Sequence, residues 1–236
     1  MARYAVIGLG RFGMTVANIL AENGQEVIAI DKRQELVDEI SGRVSQAVCM
    51  DSTEESVLRN LNLNEVDAVI MAIGSNIQES ILATAILKKI GAGIIYAKVE
   101  NHLHGRILEL IGVKRSILPE EVVGTQLAKT LVSKNVLEYF NLSSGHSVIE
   151  LRAPLSFVGK TLQELALPTE RSISVIAIKY DHLTVSDEGK NVIEQRLNDM
   201  PGANDVINEG DVLILMGQKN KIDDLIYDAA NKKDLL

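Results

Sequence analysis

Across residues 4–99 the chain alternates between two hydrophobic rhythms. Five short stretches, 4–8, 26–30, 47–50, 68–73 and 94–99, are apolar on nearly every successive residue. Such runs fit strands of a parallel sheet, because both faces of that sheet are covered by helices. Between them, apolar residues recur three or four positions apart: Phe12/Val16/Ile19/Leu20, Leu36/Val37/Ile40, Val57/Leu58/Leu61, Ile77/Ile81/Leu82/Ala85 and Leu103/Ile107/Ile111. That spacing puts one apolar stripe on a helix. The alternation predicts a doubly wound parallel α/β domain over residues 1–118.

Residues 116–131 read as a further helix. Pro119 suits its first turn, and Val122, Val123 and Leu127 give it an apolar stripe. With five strands already assigned, this helix is expected to cross out of the domain, within a crossover-and-linker segment 119–141. From 142 to 236 the pattern shortens. Alternating runs at 147–152 and 174–180, and a compact apolar run at 212–216 after Glu209-Gly210-Asp211, predict a small α+β domain. Residues 186–205, rich in Asn, Asp and Gly, read as a long exposed loop in which 192–197 could form a short helix.

Composition narrows the function classes. Hydrophobic residues make up 46% and charged residues 24% of 236, the balance of a globular domain. No apolar run approaches the ~18–20 residues of a membrane span. Met1-Ala2-Arg3-Tyr4 leads straight into a strand pattern without a leader-peptide core. The lone cysteine, Cys49, lies in an apolar run; a buried core thiol and a cytosolic location are expected. Net charge is −8, aromatic residues make up 3% and Trp is absent, so neither a phosphate-backbone footprint nor a base-stacking platform is available. Nucleic acid is not an expected partner.

Gly8-Leu9-Gly10-Arg11-Phe12-Gly13 is a G-x-G-x-x-G that follows a strand and opens a helix. In a Rossmann-like fold Gly8 permits the tight turn, Gly10 lets backbone amides approach a phosphate, and Gly13 allows the helix to pack on the strand. The helix N-terminus offers free N–H groups and a positive dipole end. Asp31, at the end of the second strand, is placed to accept hydrogen bonds from ribose hydroxyls. Its charge disfavours a 2′-phosphate, which the adjacent Lys32 and Arg33 offset in part. Arg11 reads either as a solvent-exposed side chain or as a ligand for a compact polyphosphate such as ATP.

Ligands of such sheets sit beyond the C-terminal ends of the strands. This adds Asp51, Ser52 and Thr53 after the third strand, Ala72, Ile73, Gly74, Ser75 and Asn76 after the fourth, and Lys98 at the end of the fifth. Asp51–Thr53 reads equally well as a helix N-cap. His102 and His104 fall on different faces of a helix, and His146 and His182 are isolated in sequence. No acid/base pair suited to hydride transfer appears in residues 142–236, so an enzyme is not the leading expectation.

The run 4–13, with 72–78 (Ala-Ile-Gly-Ser-Asn-Ile-Gln), Ile111-Gly112-Val113 and Leu118-Pro119-Glu120, resembles the RCK (KTN) regulatory subunits of Ktr and Trk potassium transporters. Gly159-Lys-Thr-Leu-x-Glu-Leu165 and 210–217 (Gly-Asp-Val-Leu-Ile-Leu-Met-Gly) resemble their C-terminal subdomain. The length matches the single-RCK Ktr type. The resemblance implies a cytoplasmic homodimer, assembling to an octameric ring at the inner face of the membrane, beneath a membrane-embedded potassium-translocating subunit. It implies ATP/ADP as the ligands of the N-terminal domain, for which the candidate contacts are Gly8, Gly10, Arg11, Phe12, Gly13, Asp31, Lys32, Asp51, Ser52, Ala72, Ile73, Gly74 and Lys98. Arg11 would touch the terminal phosphate, and Glu120 would help hold a divalent or monovalent cation near it. In some relatives cyclic di-AMP binds the C-terminal subdomain between two protomers; the stretch 186–205 departs from the shorter Ktr pattern. The alternative from another class is an NAD(H)-dependent oxidoreductase or NAD(H) redox sensor.

Overall fold

The computed structural model describes residues 1–185 and 191–231. The chain divides into two compact units, Met1–Glu120 and Glu121–Leu236. In the first, strands β1 (Arg3–Ile7), β2 (Glu26–Asp31), β3 (Gln46–Cys49), β4 (Ala68–Met71), β5 (Ile95–Lys98) and β6 (Arg115–Ile117) form a parallel sheet. Their order is β3-β2-β1-β4-β5-β6. Helices α1 (Arg11–Glu22), α2 (Gln34–Ile40), α3 (Glu55–Arg59), α4 (Ile77–Lys89) and α5 (His102–Ile111) connect them.

The unbroken apolar runs have a direct cause. Alternate residues of one strand enter different cores: Ala5, Ile7, Ile28, Ile30, Val69 and Met71 join Leu58, Leu87 and Leu108, whereas Val6, Val27, Ala29 and Ile70 join Val37 and Ile40. Both faces are dry, so no strand position in the middle of the sheet is left for a polar residue. Strand order reverses between β1 and β4, and the chain leaves these two neighbours toward different sides of the sheet. A crevice therefore opens beyond their C-terminal ends.

Three expectations for this unit need correction. Residues 115–117 form a sixth strand, pairing with β5 through Ala97↔Ser116, and the helix α6 begins only at Pro119 (Pro119–Val132). A strand this short carries no apolar run to announce it. Cys49 is exposed, at the end of β3, which is an edge strand of the sheet; its Sγ lies 3.5 Å from the Lys32 carbonyl. Asp51 to Thr53 do not cap α3, whose N-cap is Glu54 and carries no side-chain bond.

The second unit is an antiparallel five-stranded sheet of order β10-β9-β11-β8-β7. Its strands are β7 (Val136–Asn141), β8 (His146–Arg152), β9 (Ile173–Val185), β10 (Asn191–Asn198) and β11 (Val212–Gln218), accompanied by short helices α7 (Leu162–Leu165) and α8 (Leu167–Arg171) and by α9 (Lys219–Asn231). Its core gathers Tyr139, Ile149, Leu151, Ile173, Leu213, Leu215, Ile222 and Leu225. The expected linker to residue 141 thus ends in a strand of this sheet. Within 186–205 the structure replaces the loop or helix at 192–197 with β10, paired to β9 from Asn191↔Val185 to Asn198↔Ile178. Residues 186–190 lie outside the described residues.

Candidate nucleotide-binding site

The turn after β1 is built as the glycine spacing requires. Gly8 has φ +95°, and a Cβ there would stand 2.9 Å from Ile73 Cγ1. Gly13 sits so close under the turn that a Cβ would come within 1.8 Å of the Gly8 carbonyl oxygen. A Cβ on Gly10, by contrast, would meet nothing within 4 Å. That open space lies at the start of α1, whose N-cap Gly10 makes no side-chain bond and whose first turn has no acidic residue. The first-turn N–H groups and the positive end of the helix are therefore uncompensated by this chain's own anions. Arg11 opens the helix and is exposed.

Beside this turn is a cleft of about 290 Å³ lined by Ile7, Gly8, Gly10, Ile30, Asp31, Lys32, Arg33, Met50, Ser52, Ala72, Ile73, Gly74, Ser75 and Glu79. Its floor is apolar, from Ile7, Ile30, Met50, Ala72 and Ile73, and its rim is charged. Asp31, nearly buried at the end of β2, accepts from the Leu9 N–H at 2.6 Å and the Arg33 N–H at 2.9 Å, with the Arg33 guanidinium at 3.1 and 3.3 Å. Burial pushes its pKa up, but the Arg33 side chain and the Leu9 and Arg33 amides outweigh that and hold it below the ordinary value. Lys32 pairs with Glu79 at 2.9 Å, a contact that raises the lysine pKa, and Glu79 is in turn bonded by the α4 N-cap Asn76.

Ser52 is a buried polar group of the cleft without a partner among the described residues: it is 3% exposed and its Oγ makes no hydrogen bond. A buried hydroxyl left unpaired is unfavourable by roughly 1–3 kcal/mol unless a ligand or water meets it. Asp51 turns the other way, accepting from Thr53 N–H at 2.8 Å and Thr53 Oγ1 at 2.6 Å, which lower its pKa.

Of the residues singled out from the sequence, Gly8, Gly10, Asp31, Lys32, Ser52, Ala72, Ile73 and Gly74 line this one cleft. Arg11, Phe12, Gly13, Asp51, Lys98 and Glu120 do not. Phe12 packs against the core beneath α1, and Gly13 supports the turn. Lys98 lies against Gly74, where a Cβ would be 3.1 Å from its Cε, and its Nζ reaches Glu120 Oε1 at 3.1 Å. The Glu120 backbone N–H and Lys98 together hold the Glu120 carboxyl below its usual range. Among the described residues no group of three or more His, Cys, Asp or Glu is arranged to hold a metal ion. Arg33 and Ser75, both named from the sequence, line it as well, whereas Met50 and Glu79 line the cleft and were not singled out. Glu79 had a signal in sequence, since it stands three residues after Asn76 at a helix start.

Residues 4–119 match the TrkA-N domain and residues 147–226 the TrkA-C domain. Over 219 residues the chain is 42% identical to the Ktr system potassium uptake protein C of Bacillus subtilis (strain 168), covering 93% of each protein. Among solved structures it resembles the GsuK RCK domain at TM-score 0.61 and 18% identity, covering 96% of this chain and 47% of that one. It also resembles the GsuK channel bound to NAD at TM-score 0.61 and 16% identity, covering 97% of this chain and 39% of that one. At those identities the structural likeness is one of fold. The parallel sheet with its glycine turn, the antiparallel second unit and the 42% identical relative place this chain in the TrkA-N/TrkA-C family of RCK-type proteins, to which the Ktr potassium uptake proteins belong.

Proposed function

We propose that this chain is a nucleotide-sensing regulatory subunit of a membrane potassium-uptake system. The observation that carries nucleotide binding is the uncapped start of α1 opening beside a cleft with an apolar floor and an unpartnered buried Ser52 hydroxyl. The role in potassium uptake rests on the 42% identical Ktr relative. In this reading adenosine occupies the cleft and the phosphates lie over Gly10 at the α1 N-terminus. Asp31 meets the ribose only after the exposed Arg33 side chain swings off its carboxylate. ATP and ADP differ at the γ-phosphate, so a group near the end of the phosphate chain must distinguish them. Arg11 is that group in our reading. A ligand moves a conformational equilibrium only through such a difference in contacts.

A cation at Glu120 would have to displace Lys98 and draw further ligands from the phosphates or a second copy. The reading is of a non-catalytic protein, following the relative's role in potassium uptake rather than in redox chemistry. NAD stays the competing ligand, because the fold neighbour GsuK is a channel bound to NAD.

The homodimer is supported by α6. None of its residues is buried, and Val122, Val123, Leu127, Leu131 and Val132 are all exposed. Such a stripe is unusual on a lone chain and suits a second copy. An octameric ring under a potassium-translocating subunit at the cytoplasmic membrane face is the assembly we infer. None of the described helices is long and apolar enough to cross a membrane. Cyclic di-AMP is assigned no residues in the C-terminal unit.

Calorimetric titration with ATP, ADP and NADH tests the reading. The expected result is ATP and ADP binding, with Arg11→Ala weakening ATP by about tenfold or more and ADP much less. NADH binding without detectable ATP binding would overturn it. An unchanged ATP/ADP ratio in Arg11→Ala would remove Arg11 from the proposal.

A further inference from the structure

Beside Asp31 stand two cations, Lys32 and Arg33, of the kind that accommodates a phosphate on the 2′-oxygen of a bound ribose. Among the described residues that line the cleft they are the only Lys or Arg, and each is committed to a carboxylate. The Arg33 guanidinium holds Asp31 at 3.1 and 3.3 Å, and Lys32 Nζ holds Glu79 Oε2 at 2.9 Å. The second pair is assembled from distant parts of the chain. Lys32 follows β2, Glu79 lies in the first turn of α4 after β4, and these two strands flank β1. The bond therefore joins the two sides of the crevice.

The two pairs differ in what they can release. Arg33 can serve either Asp31 or a ribose phosphate but not both, so together with Asp31 it adds no net charge beside the ribose. The balance then lies with Lys32. Its side chain is 54% exposed and can swing, whereas that of Glu79 is 11% exposed. Asn76 Nδ2 donates to the Glu79 carboxylate at 3.0 Å, and the first turn of α4 favours a negative charge there. If Lys32 turned to a phosphate, a nearly buried carboxylate would keep its charge and lose its cation, which is far more unfavourable than parting an exposed pair. Asp51 and Asp31 attract the same lysine through space, adding to the stronger hold of Glu79. A 2′-phosphate would thus bring further negative charge to a cleft whose lysine is already paired.

We infer that Glu79 sets the sugar specificity of the cleft: by holding Lys32 it excludes adenine nucleotides phosphorylated on the ribose 2′-oxygen and admits those with a free 2′-hydroxyl. This specificity presupposes adenosine in the cleft, as proposed above, whichever 5′ group completes the ligand. Glu79 acts through Lys32 and is a positioning residue, 47 positions from the lysine it directs.

The test pairs AMP with adenosine 2′,5′-bisphosphate, which differ only by the 2′-phosphate, as competitors against ADP in calorimetric titration of the full chain. Wild type is expected to favour AMP by about a hundredfold or more. Glu79→Gln keeps the shape of the side chain and an acceptor for Asn76 but frees Lys32, and narrows that ratio about tenfold. Glu79→Ala frees the lysine by deletion and gives the same direction of change should the Gln variant fail to fold, which circular dichroism checks. Adding Lys32→Gln to either variant returns the ratio toward the wild-type value, and high salt shrinks the gain. Equal binding of the two compounds by wild type, a ratio unchanged in both Glu79 variants, or a gain that survives loss of Lys32 would each overturn the proposal. ADP that fails to bind wild type would overturn the nucleotide reading itself, and this specificity with it.

Discussion

At Asp31 one carboxylate receives four hydrogen bonds, from the Leu9 amide, the Arg33 amide and the Arg33 guanidinium. It ties the glycine turn to the end of β2, so the shape of that turn depends on its charge. Its folded pKa lies below the ordinary value of 3.8. A depressed carboxylate contributes stability above its unfolded pKa and loses that contribution as pH falls through the folded one. Between pH 7 and 5 the Asp31 contribution is therefore constant, and it declines below about pH 4. Asp31→Asn is expected to lose roughly 1–3 kcal/mol at pH 7, with a smaller gap to wild type at pH 3, measured by urea unfolding. An equal gap at both pH values would contradict this role. At this scale the glycines were legible because only glycine fits the approach of Gly13 to the Gly8 carbonyl. Cys49 was not, because an apolar run does not say which of its strands lies at an edge.

At the scale of elements, legibility followed burial. The strands enclosed on both faces, β1, β2 and β4, carry unbroken apolar runs and stand where the sequence places them. β6 has three residues, one of them Arg115, and leaves no periodic trace. β10 is exposed on both faces, so no buried side imposed an alternation, and its polar residues read as a loop. The helix α6 was legible as a helix with an apolar stripe but not where it began. Its exposed Leu127 gives an element-scale test. Leu127→Asp is expected to weaken homodimerisation by on the order of 10–100-fold in sedimentation velocity. Unchanged association would remove α6 as the contact.

For the whole molecule, the two units divide the work. The parallel sheet carries the cleft, and in our reading the exposed apolar stripe of α6 serves assembly. The family was legible from the order of motifs along nearly the whole chain, and the matched domains at 4–119 and 147–226 agree with it. Regulation requires that the two nucleotides favour different conformations, so tight binding alone is insufficient. The decisive measurement is potassium flux into proteoliposomes holding the membrane subunit that co-purifies with this chain, with ATP exchanged for ADP. Flux is expected to differ severalfold between the two nucleotides, with Arg11→Ala abolishing the difference. Flux indifferent to the exchange while both nucleotides bind would contradict a nucleotide-sensing regulator.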